Sequence, residues 1–430
     1  MSLLDLANQG GRAWTRIGDS YGVTKKPRDL DVRSHATIPF IPMESVPQGG
    51  AYEPVFSLKS PDALTSGTYF ERGDVLVSKI TPSFENGKQA FVQSLPLPFG
   101  YATTEVIPLR PFEGGKHDPR LLFFYLLHPD VRHYVAERME GSTGRQRVPE
   151  GVLLDLPMPD IELQEQTRAA DTLEMIQAAM AVEDKAAENA QELKRAAMTR
   201  LFTRGLRGEA SRETEIGLVP ESWDILTIND VALATQYGLS VRGQPQGRFP
   251  ILRMNCQDDG RVVFRDLQYV DLDEATFAAF RLEAGDLLFN RTNSIEHVGR
   301  TAIFEDECDT VFASYLVRLR VNASRCVPQF LNYFMNRREV QSDIKRFASR
   351  AVGQANINAT KLRMVAFPLP ATLDEQREIV AILDALDRKI ALHRQKRAVL
   401  EELFQSLLHK LMTSEIRIAD LDLSALLSDR

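Results

Sequence analysis

Cysteine is scarce in this chain of 430 residues. Cys256, Cys308 and Cys326 are widely spaced, odd in number and without a CxxC, which argues against a disulfide framework or a structural zinc site and for reduced thiols. No apolar run approaches the ~18 residues a membrane span needs; the longest notable one is Leu121 to Leu127. The start, Met1-Ser2-Leu3-Leu4-Asp5, has no basic segment leading into an apolar one. No secretory signal is read, and a cytoplasmic location is expected. Signatures of an engine are missing too. There is no GxxxxGK(S/T) phosphate loop, no GxGxxG, no Asn-Pro-Pro-aromatic stretch of amino-methyltransferases, and no HExxH or HxH among the seven histidines. Catalysis, cofactor binding and metal binding by this chain itself are therefore not expected. Asp184-Lys185 and Glu85-Asn86-Gly87-Lys88 resemble pieces of a nuclease acid-lysine pair, but such pieces arise by chance in most chains of this size.

Positive charge is not in excess either: the net charge is −7, which at first disfavours a nucleic-acid partner. The balance is uneven. Residues 1–155 and 206–366 are each at −1, whereas 156–205 and 367–430 carry −3 and −2. A near-neutral domain can still present a basic face, because phosphate contacts depend on local clustering. Lys345, Arg346, Arg350, Lys361 and Arg363 form such a cluster, opposed only by Asp343.

What the chain does have is a loose second copy of itself. Gly73-Asp74-Val75-Leu76 returns as Gly285-Asp286-Leu287-Leu288, Pro157-Met158-Pro159 as Pro368-Leu369-Pro370, and Glu165-Gln166 as Glu375-Gln376. The offsets are 212, 211 and 210 residues, far beyond the ~20–50 of a solenoid repeat. The unit is a globular part followed by a long helix.

In the first copy, β-like runs at 74–78, 89–92 and 105–109 precede a helical pattern over Pro119 to Met139 and a loop with Gly141 and Gly144. In the second, Asp286–Phe289 and Ser314–Leu319 precede a helical pattern over Pro328 to Phe347 and a loop at Gly353. Both Pro-x-Pro segments should be stiff boundaries that neither a ladder nor a helix continues. Long helices follow. The first should run from near Leu163 to Arg204, ended by Gly205 and Gly208.

The second helix carries a heptad stripe at Ile379, Leu383, Leu386, Ile390, His393, Arg397, Leu400, Phe404, Leu407 and Leu411. Its counterpart is Ala169, Leu173, Ile176, Met180, Glu183, Ala187, Ala190, Lys194, Ala197 and Leu201, richer in alanine and broken at Glu183 and Lys194. Burying the larger residues at ~1.5–3 kcal/mol each requires a partner, and the nearest is the other helix. Two helices, each trailing a similar domain, can pack antiparallel about a pseudo-two-fold axis. His393 and Arg397 read as helix-pairing or partner-facing groups.

Candidate DNA contacts fall in two equivalent places in each copy. Arg291, Thr292 and Asn293 follow the strand after Gly285-Asp286; arginine and asparagine suit guanine and adenine edges, and threonine can hold phosphate. A solvated turn explains this segment equally well. Lys79 lies at the corresponding place in the first copy. The loops with Arg145, Gln146 and Arg147, and with Arg350, Gln354 and Asn356, combine glycines for close approach with side chains suited to base edges; an exposed domain-end loop is the alternative. Gly73-Asp74 and Gly285-Asp286 most simply make a turn before a strand.

Taken in order, Gly217-Leu218-Val219-Pro220-Glu221-Ser222-Trp223, Gly285 to Asn293, Gly353-Gln354-Ala355-Asn356-Ile357, Pro368-Leu369-Pro370, and Glu375-Gln376 leading into Ile379 to Asp384 resemble the specificity subunits of type I restriction-modification systems. The first half departs from the pattern, with Gln177-Ala178-Ala179-Met180 in place of Asp387-Arg388-Lys389-Ile390 and no Val-Pro-x-x-Trp entry. The resemblance implies an α+β fold: two similar target recognition domains joined by two long helices that form an antiparallel coiled coil, with a pseudo-two-fold internal repeat. The expected division is 1–158 and 207–368 for the recognition domains, 159–206 and 369–414 for the spacer helices, and 415–430 for a tail.

It also implies a partner of double-stranded DNA with a bipartite target. Two modification subunits would carry S-adenosylmethionine, and restriction subunits would use ATP and Mg. A stand-alone DNA-binding defence scaffold recruiting a different enzyme, and an enzyme whose site lacks local motifs, remain alternatives.

Overall fold

The computed structural model describes residues 13–112, 116–142, 144–351, 353–413 and 415–418. The chain divides into two compact units, residues 1–185 with 394–430 and residues 186–393. This division cuts each long helix near its middle. The helices run Leu163–Arg204 and Leu373–Thr413, and Gly205 closes the first with a left-handed φ of 65°.

In the first unit, an antiparallel sheet has the order Tyr21–Val23, Val106–Pro111, Val75–Ser78, Gln89–Phe91. A second sheet runs Ser57–Lys59, Ile38–Ile41, Phe99–Ala102, Thr68–Glu71, its central pair parallel. The second unit repeats both. Ala232–Tyr237, Leu316–Val321, Leu287–Asn290 and Thr301–Ile303 take the same order before two further short strands. Phe249–Leu252 again pairs parallel, with Val311–Phe312, and antiparallel with Gln268–Val270.

The Pro-x-Pro segments are strands, contrary to expectation. Pro157–Pro159 pairs antiparallel with Trp14–Arg16, and Ala366–Leu369 with Asp224–Thr227. Ile17 donates to the Leu156 carbonyl and Asp160 to that of Ala13. The ladder bonds therefore fall on 156, 158 and 160, and the prolines occupy the alternate positions whose N–H would face away. The expected single helices are each two. Pro119–Tyr125 and Pro129–Ala136 are separated at His128, which caps the second by accepting from the Asp130 N–H at 3.2 Å. Proline at the first helical position explains that break. In the second unit Pro328–Met335 and Arg338–Arg346 are parted without proline; the Asn336 amide donates to the carbonyls of Thr301 and Asn332.

Each helix pair is antiparallel within its unit. In the second unit Lys194 meets Asp387 at 2.6 Å, while farther along the first helix's exit the Leu206 N–H points to Glu375 at 3.4 Å. In the first unit Glu183 meets Lys396 at 3.9 Å and Asp184 meets Arg397 at 3.5 Å. The two polar breaks in the first stripe are thus cross-helix ion pairs, and Arg397 pairs helices as expected. Leu173, Ile176, Phe404, Leu408 and Leu411 are buried in the first unit's main core. Met198, Leu201, Ile379 and Leu383 are buried in the second's.

Buried polar joints are duplicated as well. Gln166 accepts from the Asp118 N–H at 2.9 Å and donates to the carbonyls of Ile161 and Lys116 at 2.7 and 3.2 Å. Gln376 accepts from the Val327 N–H at 2.7 Å and donates to those of Arg325 and Pro370 at 3.1 and 3.4 Å. Each ties the start of a long helix to the start of a domain helix.

Candidate nucleic-acid interface

Both candidate segments begin where a buried strand leaves the main sheet. Gly73 and Gly285 turn with φ of 90° and 95°, a region that suits glycine. The next aspartate is buried and accepts the N–H of the residue three before it, Glu71 or Glu283. Arg110 donates to Asp74 at 2.7 Å and also pairs with Glu71; Arg320 holds Asp286 and pairs with Glu283 at 3.2 Å. Burial pushes the Asp74 carboxyl up despite its arginine. The Gly-Asp turns are therefore structural anchors that aim the following strand.

Beyond Leu287–Asn290, the chain makes a second short strand at Thr292–Asn293. This strand pairs with Gln354–Asn356, which pairs in turn with Ser349–Ala351. Five of the six candidates of the second copy thus lie in one three-stranded ribbon, and Arg291 immediately precedes it. Several are occupied with one another. The Asn356 amide donates to Thr292 Oγ1 at 2.7 Å, and Asn356 Oδ1 accepts from Arg291 at 3.5 Å. Arg291 also donates to the Ser314 carbonyl at 3.2 Å and lies over the Tyr237 ring, 4.7 Å from its centre. The Asn293 side chain accepts the Ser294 N–H. Gln354 is exposed. Arg350 sits in the outer strand of the ribbon, and its side chain lies outside the described residues.

The first copy makes the same junction more simply. Ile80 and Glu140 each form a bridge to Arg147, and the Val148 N–H donates to the Lys79 carbonyl. Arg147 is held by both carboxylate oxygens of Glu105 at 2.7 and 2.9 Å, which keeps that carboxyl below its ordinary range. Gln146 is half-buried, 3.5 Å from the Met139 carbonyl, while Arg145 is exposed.

Of the basic cluster read from the sequence, Lys345 donates to the Glu296 carbonyl, Lys361 to that of Phe347 and Arg363 to Thr235, while Arg346 pairs with Asp343. Tyr237 was missed by sequence reasoning; 42% exposed beside Arg291, it adds a half-open aromatic face. No local pattern distinguishes it from a strand tyrosine. Among the described residues no helix is long and apolar enough to cross a membrane.

Residues 220–402 match the model of the type I restriction modification DNA specificity domain. A protein of Methanocaldococcus jannaschii, provisionally named the MjaX type I restriction enzyme specificity subunit, is 32% identical over 211 residues, covering 48% of this chain and 49% of that one. The EcoAI specificity subunit of Escherichia coli is 37% identical over 162 residues, 37% of this chain and 26% of its own length. The chain thus aligns with about half, or less, of these curated relatives. A crystal structure of a type I system S subunit from M. genitalium shares the fold, with a TM-score of 0.57 over 94% of this chain and 97% of that one at 14% identity. Over residues 220–402 the chain is thus similar to the type I restriction modification DNA specificity domain, and its duplicated α+β architecture with paired long helices is the fold of that S subunit.

Proposed function

We propose that this chain is the non-catalytic DNA-reading subunit of a type I restriction-modification complex, each of its two domains reading one half of a bipartite target in double-stranded DNA. The observation that carries this reading is the duplicated junction. In both copies a strand exit is laced to a loop bearing arginine, glutamine or asparagine, with Arg145 and Gln354 exposed at the loops. A ribbon of this size fits the major groove, and its arginine and amide side chains suit purine edges. The Arg291–Asn356–Thr292 contacts then position the ribbon, and the exposed groups read.

The paired helices serve as the spacer that fixes the gap between half-sites. Each is about 60 Å long by its 42 or 41 residues, whereas a turn of DNA is about 34 Å. Two modification subunits supply S-adenosylmethionine and adenine methylation, and restriction subunits supply ATP- and Mg-dependent cleavage.

The test is methyl transfer from labelled S-adenosylmethionine to DNA, followed by mapping of the methylated adenines. Transfer is expected only when a modification subunit is added, and at a split sequence. Transfer by the purified chain alone, or at a continuous site, would overturn the proposal.

A further inference from the structure

The two units pack the same layer in opposite ways. In the first, Phe124 meets Phe404 with ring centres 6.0 Å apart, and His128 Nε2 lies 3.1 Å from His409 Nδ1. Both Phe123 and Leu127 beside them are buried. The repeat-equivalent layer of the second unit has Tyr333 for Phe124, Asn332 for Phe123, Asn336 for Leu127 and Arg337 for His128. Across from these, Lys194 replaces Phe404 and Thr199 replaces His409. An apolar side chain becomes a polar one at four of these six positions, and an open cavity of about 480 Å³ lies beside them.

The cavity lies wholly within the second unit, between the first long helix and the chain around Asn332–Glu339. Four cations line it, Lys194, Arg195, Arg337 and Arg338, against two carboxylates, Asp259 and Glu339. Lys194 is neutralised by Asp387 at 2.6 Å, which lies outside the lining. Arg195 and Arg338 are exposed and make no ion pair with any described residue. Arg337 is largely buried over the rings of Phe202 and Phe334, its Nε without a hydrogen-bond partner and its nearest carboxylate Glu339 at 3.6 Å.

His128 caps its helix, but no side chain caps Arg338–Arg346 at Arg337. First-turn amides of that helix are left to seek an acceptor. Guanidinium forks and open helix amides are the groups that hold oxyanions.

We propose that this cavity binds a small phosphate monoester, its phosphate held by Arg195, Arg337 and Arg338. Donor number decides between oxyanions. With Lys194 held by Asp387 and Asp259, three guanidinium forks remain in the lining, and the several oxygens of a phosphate can engage more of them than the two of a carboxylate. Size decides for an ester over the bare ion, since the cavity falls in the ~300–1,000 Å³ range of small-molecule sites. The site stands apart from DNA reading: the helix Arg338–Arg346 has the cavity at its start and the candidate ribbon after its end, about 13 Å along the axis.

Calorimetric titration of the full chain with inorganic phosphate and with adenosine monophosphate tests the proposal. Both are expected to bind saturably, one per chain and in competition, the ester more tightly. Arg195→Gln and Arg338→Gln, both at exposed positions, should each weaken binding about tenfold by loss of a charge-assisted contact. Arg346→Gln on the same helix should leave it unchanged. Four outcomes overturn the site: no saturable binding of either anion, equal affinity for glutarate, unchanged affinity in both arginine variants, or displacement of the ester by short duplex DNA. The last would transfer the cavity to the DNA-reading surface. The outcome is independent of methyl transfer, so either proposal can fail alone.

Discussion

Arg320 grips the buried carboxylate of Asp286 through two parallel hydrogen bonds, Nε to Oδ1 at 2.7 Å and a terminal nitrogen to Oδ2 at 2.8 Å. Replacing Arg320 by methionine leaves a carboxylate only 1% exposed with Arg318, at 3.8 Å, as its remaining counter-charge. The expected loss is about 3 kcal/mol, measured by urea denaturation. The double variant Arg320→Met with Asp286→Asn should recover part of it; a single variant as stable as the parent would show that the pair contributes nothing.

Gln376 makes three hydrogen bonds to backbone while 1% exposed. Gln376→Ala leaves one N–H and two carbonyls short of a partner and should cost about 2–4 kcal/mol. Gln166→Ala should behave alike in the first unit. Hydrogen exchange at Val327 and Asp118 would report the loosened joints directly.

Acid should loosen the first unit through His128. Burial pushes this imidazole down to about 4 from its ordinary 6.5. The unfolded chain binds the proton first, so the stabilising contribution is complete above about pH 6.5 and is lost as pH falls toward 4. It is on the order of 3 kcal/mol. His128→Asn keeps a side chain able to cap the helix and should flatten the fall in Tm between pH 6.5 and 4. An unchanged profile would point to another group.

Reader and scaffold residues should separate on substitution. Gln354→Ala is expected to alter base preference in one half-site with stability within about 0.5 kcal/mol. Arg291→Ala should lower stability by about 1–3 kcal/mol, because it frees Tyr237 and Asn356. Arg145→Ala should relax base preference in the other half-site. Methylation mapping of the assembled complex and urea denaturation of the chain distinguish these effects.

Much of the architecture was legible because it is local. The long helices announce themselves by heptad spacing and end at Gly205; the Gly-Asp turns and the loop positions follow from residue type. Pairings across sequence were not. Arg110 sits 36 residues from Asp74 and Arg320 sits 34 from Asp286, and an aspartate in isolation reads as surface. The same holds for Glu105, which occupies Arg147 from 42 residues away. Pro157 and Pro159 were misread because proline's missing N–H matters only where the ladder needs it, and here it does not. The break at Pro129 carried a sequence signal; the one at Asn336 depends on Thr301, which no pattern links to it.

Lys194 with Asp387, and Glu183 with Lys396, have a further consequence for the coiled rods. A seam of leucines alone tolerates sliding, since one apolar contact replaces another. A slip of one heptad, about 10 Å, would set Lys194 against Val380 or Arg394 and forfeit its counter-charge. Within the second unit the helix pair therefore has one resting notch, like a vernier with its stop engaged, set by a charge rather than by its leucines.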